Sequence, residues 1–117
     1  MPHGTVGNYL RTHRKKSGLS QHEVAIIIGY KQCGPVSHHE RSHYLPPLHI
    51  ALAYEVAFRV PVSELFRGIR ETVEQGTENE LEKLEHKLQD TSGKGRQANA
   101  TAKKLQWIAE RRALSDV

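Results

Sequence analysis

The pattern of hydrophobic and polar residues is clearest over residues 19–41, where it predicts a helix, a turn and a second helix. Ser20 is a favourable N-cap and Glu23 follows three residues later, so the two side chains predict a capping box at the start of the first helix. Gly29 stands where a left-handed residue ends a helix. Between them, four apolar side chains are expected to face a core: Val24, Ala25, Ile27 and Ile28.

The second helix of this pair is expected to begin at Gly34 and Pro35. Proline suits the first helical position because that position needs no N–H partner and the φ of proline is already helical. The helix continues to Arg41, and Val36 is expected to face inward. His39 is also expected to be buried, as a neutral core histidine with a hydrogen-bond partner.

Further helices are predicted on both sides of this pair. Asn8 can cap a basic helix over residues 9–17 that ends at Gly18. Pro47 begins a later helix. Its core side is expected to comprise Leu48, Ala51, Leu52, Glu55 and Val56. A short helix within residues 60–66 follows, in which Leu65 and Phe66 complete the core, and Gly68 ends it.

Several of these residues match one known pattern. They are Gly18-Leu19-Ser20-Gln21, Val24-Ala25, Gly29, Val36-Ser37, Glu40-Arg41 and Val60-Pro61-Val62-Ser63-Glu64-Leu65-Phe66. In these residues the chain resembles the helix-turn-helix family of lambda-type repressors and Cro proteins, also called the XRE family, over about half of its length. The resemblance implies an all-α fold, with a five-helix lambda repressor-like DNA-binding domain at residues 1–68 and a helical C-terminal tail at residues 69–117.

The resemblance also implies how such a domain meets double-stranded DNA. The second helix of the motif would lie in the major groove, with base contacts from Gln32, Cys33, Gly34, Ser37 and His38. Phosphate contacts would come from Lys16, Gln21, Lys31, Arg41, Ser42, His43 and Tyr44. Arg14 and Glu40 would form a structural ion pair between the basic helix of residues 9–17 and the second helix of the motif.

The charge distribution favours a polyanionic partner for the first domain. Residues 1–68 contain eight Lys or Arg against four Glu, and the whole chain carries a net charge of +4 with a pI near 9.4. The single cysteine, Cys33, cannot form an internal disulfide, and no stretch resembles a signal peptide or a membrane span. We therefore expect a cytoplasmic protein with no membrane association.

The tail has the pattern of two helices with opposite charge. Leu81, Leu84 and Leu88 recur at intervals of three and four residues in an acidic helix over residues 77–89. After a flexible link, a basic helix over residues 98–114 carries a stripe beside Trp107. Its members are Ala102, Leu105, Ile108, Ala109 and Arg112. The two helices are expected to pair antiparallel, within one chain or between two, which makes the tail a candidate for homodimerisation or for binding a protein partner.

Neither catalysis nor a metal or cofactor site is expected. His39 and His43 lie four residues apart next to His38, yet Glu40 is the only further ligand at suitable spacing, and the helix is expected to end before His43. Cys33 could be a thiol switch at a helix entrance, but a small residue at a turn explains it as well. No nucleophile elbow, phosphate loop or catalytic pair of carboxylates is present, so we expect a protein that is not an enzyme.

The sequence thus favours a sequence-specific transcriptional regulator that binds a palindromic operator as a homodimer. The alternative is an antitoxin or adaptor, in which the tail binds a protein partner and DNA binding is autoregulatory or degenerate. An RNA-binding module is less favoured, because the sequence offers no exposed pairs of aromatic residues for stacking on bases.

Overall fold

The computed structural model of the chain describes residues 7–91, 95 and 98–115, which form seven helices and no strand. The helices are α1 (Leu10–Ser17), α2 (Gln21–Ile28), α3 (Gly34–Glu40), α4 (Leu48–Phe58), α5 (Val62–Leu65), α6 (Arg67–Thr91) and α7 (Ala98–Ser115). This confirms the all-α class for the described residues. None of their helices is long and apolar enough to span a membrane. The chain divides into two units, Met1–Val73 and Glu74–Val117.

The helix ends of the first unit follow the sequence closely. The Glu23 N–H donates to Ser20 Oγ at 3.1 Å and the Ser20 N–H donates to Glu23 Oε1 at 2.8 Å, so the predicted capping box is present. Gly18 and Gly29 end α1 and α2 in the left-handed conformation, with φ of 75° and 105°. Helices α1 to α5 pack around a buried cluster that consists of Leu10, Val24, Ala25, Ile28, Val36, Ile50, Ala51, Tyr54, Leu65 and Phe66.

The predicted core side of α4 is wrong. Leu48 and Val56 are 74% and 71% exposed, and Leu52 is exposed as well, whereas Ile50, Ala51 and Tyr54 are buried. The helix is apolar on most of its circumference, so residue spacing alone allows two different stripes to face the core. Packing selects the stripe that carries Tyr54, whose hydroxyl is hydrogen-bonded to the side chain of His39. Glu55 instead accepts the Val62 N–H at 2.7 Å, at the start of α5.

One core residue and one helix boundary also differ from the prediction. Ile27 is exposed. The side of α2 that faces the core carries Val24, Ala25 and Ile28. Gly68 does not end a helix: α5 stops at Leu65, and α6 begins at Arg67 and continues for 25 residues. Glycine inside a helix costs only about 1 kcal/mol, which neighbouring residues of good helix propensity offset.

The second unit is a helical hairpin formed by the later part of α6 and α7. Arg111 pairs with Glu78, and Arg112 Nη2 lies 2.8 Å from Glu85 Oε1. The predicted acidic and basic helices therefore pair within one chain. Leu88 and Ile108 are buried between them, together with Thr101, which the stripe did not include. Leu84 of the acidic helix is exposed, and so are Ala102 and Ala109 of the stripe.

Candidate nucleic-acid interface

A partly buried ionic network holds α1, α2 and α3 together. Arg14 Nε lies 2.6 Å from Glu40 Oε2, and the two side chains are only 13% and 4% exposed. The Arg14 Nη2 group donates to Glu40 Oε1 at 3.2 Å, and Gln21 Nε2 donates to the same oxygen at 3.0 Å. The bond to Glu40 raises the pKa of Arg14 above its usual value. The predicted pair is thus present, and Gln21 extends it, so α3 is fixed to both preceding helices.

Asn8 forms hydrogen bonds with the C-terminal end of α3 and the residue after it, which we call the Asn8 clamp. Its Nδ2 group donates to the backbone oxygen of His39 at 2.8 Å and to Ser42 Oγ at 3.2 Å, while its Oδ1 accepts the Leu10 N–H at 3.0 Å. Asn8 therefore satisfies the first turn of α1 from one position before the N-cap, which is Tyr9. The sequence suggested the capping role of Asn8 but gave no sign of the contact with α3.

The Asn8 clamp also explains why position 7 is a glycine. A Cβ atom on Gly7 would lie 2.1 Å from Ser42 Oγ and 3.0 Å from Ser42 Cβ. We expect Gly7→Ala to displace Ser42 and break its bond to Asn8, lowering the free energy of unfolding by about 1–2 kcal/mol. Gly34→Ala is the matched control, because a Cβ there meets no atom within 4 Å.

Urea unfolding of the two variants tests this account. Gly34→Ala should be as stable as the parent or slightly more stable, since alanine is the better helix former. Combining Gly7→Ala with Ser42→Gly should restore most of the lost stability, because Ser42 has a positive φ of 60° that glycine adopts without strain. Equal stability of Gly7→Ala and Gly34→Ala would contradict the clamp.

His39 lies on the buried side of α3 as predicted, and among the described residues one of its ring nitrogens has a hydrogen-bond partner. It is 1% exposed, and its Nδ1 lies 2.8 Å from the Tyr54 hydroxyl. Its Nε2 is buried without a hydrogen-bond partner among the described residues. Burial, and then the nearby His38, lowers the pKa of His39 below its usual 6.5. Burial therefore favours the neutral imidazole, and the Tyr54 hydroxyl is the predicted hydrogen-bond partner.

This burial gives folding a pH dependence. The unfolded chain protonates His39 near pH 6.5, whereas the folded chain does so only at lower pH. The contribution of His39 to stability is therefore complete above pH 6.5 and is lost as the pH falls from there toward the lower folded pKa, with a slope of at most about 1.4 kcal/mol per pH unit. Urea midpoints measured from pH 7.5 to 5.0 should decline less steeply in His39→Gln. An identical decline would show that other groups are responsible.

The α2–α3 turn and α3 present most of the predicted base-contacting residues to solvent. Gln32, Gly34 and His38 are exposed, while Cys33 and Ser37 are partly buried. The Ser37 hydroxyl accepts from Arg41, whose Nε lies 3.2 Å away and whose Nη2 is also bonded to it. The arginine predicted to contact phosphate is thus folded back along the exposed face of α3.

A basic cleft lies beside this face. It has a volume of about 320 Å³ and is lined by Arg11, Arg14, Gln21, Ser37, Glu40 and Arg41. Glu40 is the only acid in this lining, and it is already paired with Arg14. Arg11 and Arg41 therefore direct positive charge into the cleft. Sequence reasoning missed Arg11, although its spacing of three residues from Arg14 places both on one side of α1.

The other predicted phosphate contacts fall into two groups. Lys31, Ser42, His43 and Tyr44 are exposed in the loops that flank α3. Lys16 is exposed on α1 but lines a different cleft, together with His13, Val60 and Arg67 among others. The structure therefore does not bring Lys16 together with the residues of α3.

The described residues contain no group of three or more His, Cys, Asp or Glu side chains that could hold a metal ion. Comparison with protein-family models, with curated proteins and with solved structures found no match to the chain.

Proposed function

We propose that this chain is a sequence-specific DNA-binding transcriptional regulator of the XRE type, in which α1 to α5 act as a lambda repressor-like domain. The single observation that supports this proposal most is that α3 is held in place on one side and exposed on the other. Its inner side is fixed by the network of Arg14, Glu40 and Gln21, and its outer side is exposed beside a basic cleft. A rigid helix with an open polar face and flanking cations suits the major groove of B-DNA, which admits one helix.

The proposed roles follow from chemistry and position. Gln32 offers the amide that pairs with adenine at two atoms, and His38 offers a ring nitrogen to a purine acceptor. Arg11 and Arg41, which line the same cleft, neutralise backbone phosphates and set the salt dependence of binding. Two copies of the chain would occupy the half-sites of a palindromic operator in the cytoplasm, and regulation would be steric or by recruitment.

A second candidate rests on the hairpin of residues 74–115. Leu84, Trp107 and Leu114 are all large, apolar and exposed there. Exposed side chains of this type, Trp above all, are the kind that anchor protein interfaces. We therefore keep the antitoxin or adaptor function, in which this hairpin binds a protein partner, as the alternative proposal.

Selection of bound sequences from a random duplex library separates the two proposals. The regulator proposal predicts a palindromic consensus with half-sites about one helical turn apart, bound at least about 10³-fold more tightly than random DNA. Affinity for the consensus should fall as the salt concentration rises. No enrichment, with only weak salt-sensitive binding, would overturn it and favour the alternative.

A further inference from the structure

The backbone at the end of α3 brings two histidines together. The His43 N–H donates to the His38 carbonyl at 2.9 Å, and the Ser42 N–H donates to the His39 carbonyl at 3.1 Å, with Ser42 in the left-handed conformation. These bonds form a Schellman motif, which places the side chain two residues after the helix end over the last turn of the helix. His43 is that side chain, and the residue that it covers in the last turn is His38.

The two imidazoles are close, exposed and held in place. His38 Nδ1 lies 2.8 Å from His43 Nδ1, and the ring centroids are 5.1 Å apart. Tyr44 stacks on His38 at 5.2 Å. The Asn8 side chain donates a hydrogen bond to Ser42, which holds the turn between the two histidines in place. The arrangement therefore depends on the backbone and on neighbouring contacts, and not on the rotamers of two surface side chains alone.

We propose that His38 and His43 form a two-imidazole site for a late first-row divalent cation, with Cu²⁺ preferred over Ni²⁺ and Zn²⁺. The two Nδ1 atoms form a hydrogen bond of 2.8 Å, and rotation of the two exposed rings would turn both Nδ1 lone pairs toward one ion at about 2.0 Å from each. The preference for Cu²⁺ follows from the order of affinity of imidazole nitrogen for divalent first-row metals. Water would complete the coordination, because the described residues hold no third ligand at the site.

Binding requires one proton to change position. In the hydrogen-bonded pair, one Nδ1 carries the proton and the other accepts it. For both Nδ1 atoms to bind the cation, the proton of the donor ring must move from Nδ1 to Nε2 through solvent, after which both rings carry their proton on Nε2. The net charge of the two rings does not change. The site is distinct from the ionic network at Arg14 and does not require DNA.

The test is a calorimetric titration of the full chain with CuCl₂, NiCl₂ and ZnCl₂ in a non-coordinating buffer. His3 lies outside the described residues and is replaced by Gln in every sample, so that it does not compete for metal. We expect one Cu²⁺ per chain, with affinity decreasing from Cu²⁺ to Ni²⁺ to Zn²⁺. His38→Gln and His43→Gln should each weaken Cu²⁺ binding by at least about tenfold. His22→Gln and His49→Gln, at exposed histidines elsewhere in the first unit, should leave it unchanged.

A spectroscopic measurement locates the bound ion independently of affinity. Paramagnetic Cu²⁺ at one equivalent should broaden the backbone amide signals of residues 38–44 and leave those near His22 and His49 sharp. Equal Cu²⁺ affinity of all four variants would overturn the proposal, and so would broadening spread over every exposed histidine. All four substitutions lie at exposed side chains, so circular dichroism should show an unchanged helical content.

Discussion

Glu40→Ala is expected to lower the free energy of unfolding by about 3–5 kcal/mol, the range found when one partner of a buried ion pair is removed. The Glu40 carboxylate is 4% exposed and accepts from both Arg14 and Gln21. Its removal leaves the Arg14 guanidinium, itself 13% exposed, without the carboxylate that it pairs with among the described residues. A loss of this size is a large part of the stability of a small domain, so much of the variant should be unfolded at 37 °C.

The same chain provides a matched control at an exposed ion pair. Glu64 pairs with Arg67 in the first unit, but the two side chains are 50% and 52% exposed. Glu64→Ala should cost much less stability than Glu40→Ala, because solvent screens the exposed pair and rehydrates the remaining arginine. Urea unfolding at neutral pH measures both variants. Similar losses for Glu40→Ala and Glu64→Ala would show that the network does not hold the three helices together.

The second large effect is expected in DNA binding. Arg11→Ala and Arg41→Ala should each weaken binding to every duplex by about tenfold and should reduce the slope of log K against log salt by about 1, as the loss of one phosphate contact does. Gln32→Ala and His38→Ala should act differently. Each should weaken binding to the selected consensus by about 1–3 kcal/mol and relax the preference at one base pair, with the salt slope unchanged.

Arg59→Gln is the control for these variants, because it changes the net charge by the same amount at a separate surface. Arg59 lines a cleft with Glu55, Val56, Val60 and Pro61, away from α3. Fluorescence anisotropy at several salt concentrations should show near-parent affinity for Arg59→Gln. If it weakens binding as much as Arg41→Ala does, the effect reflects overall charge and the docking of α3 is not supported. Lys16→Ala should lose less affinity than Arg11→Ala, since only Arg11 lines the basic cleft.

The sequence predicted local structure well where a short-range contact decides it. The capping box of Ser20 and Glu23 and the left-handed glycines 18 and 29 each depend on residues within one turn, so their spacing is sufficient evidence. The pairing of Arg14 with Glu40 spans 26 residues and could be predicted only through the family resemblance.

The failures have one physical cause, which is that tertiary packing chose between local alternatives. Helix α4 is apolar on most sides, and its packing against the other helices buries the stripe that carries Tyr54, whose hydroxyl is bonded to His39. The contact of Asn8 with the end of α3, 31 residues away, leaves no periodic signal in the sequence. In the same way, the pair of His38 and His43 depends on Ser42 adopting a left-handed φ, which is unusual for a residue other than glycine.

The single cysteine allows the most direct test of the docking of α3. Cys33 stands at the N-cap of α3, and the chain contains no other thiol. The selected duplex would be prepared with a disulfide-forming thiol tethered either in the major groove or in the minor groove of the consensus. The proposed function predicts that Cys33 cross-links to the major-groove thiol, and that neither Cys33→Ala nor an unrelated duplex does so. Cross-linking only to the minor-groove thiol, or none with the duplex fully bound, would contradict the placement of α3 in the major groove.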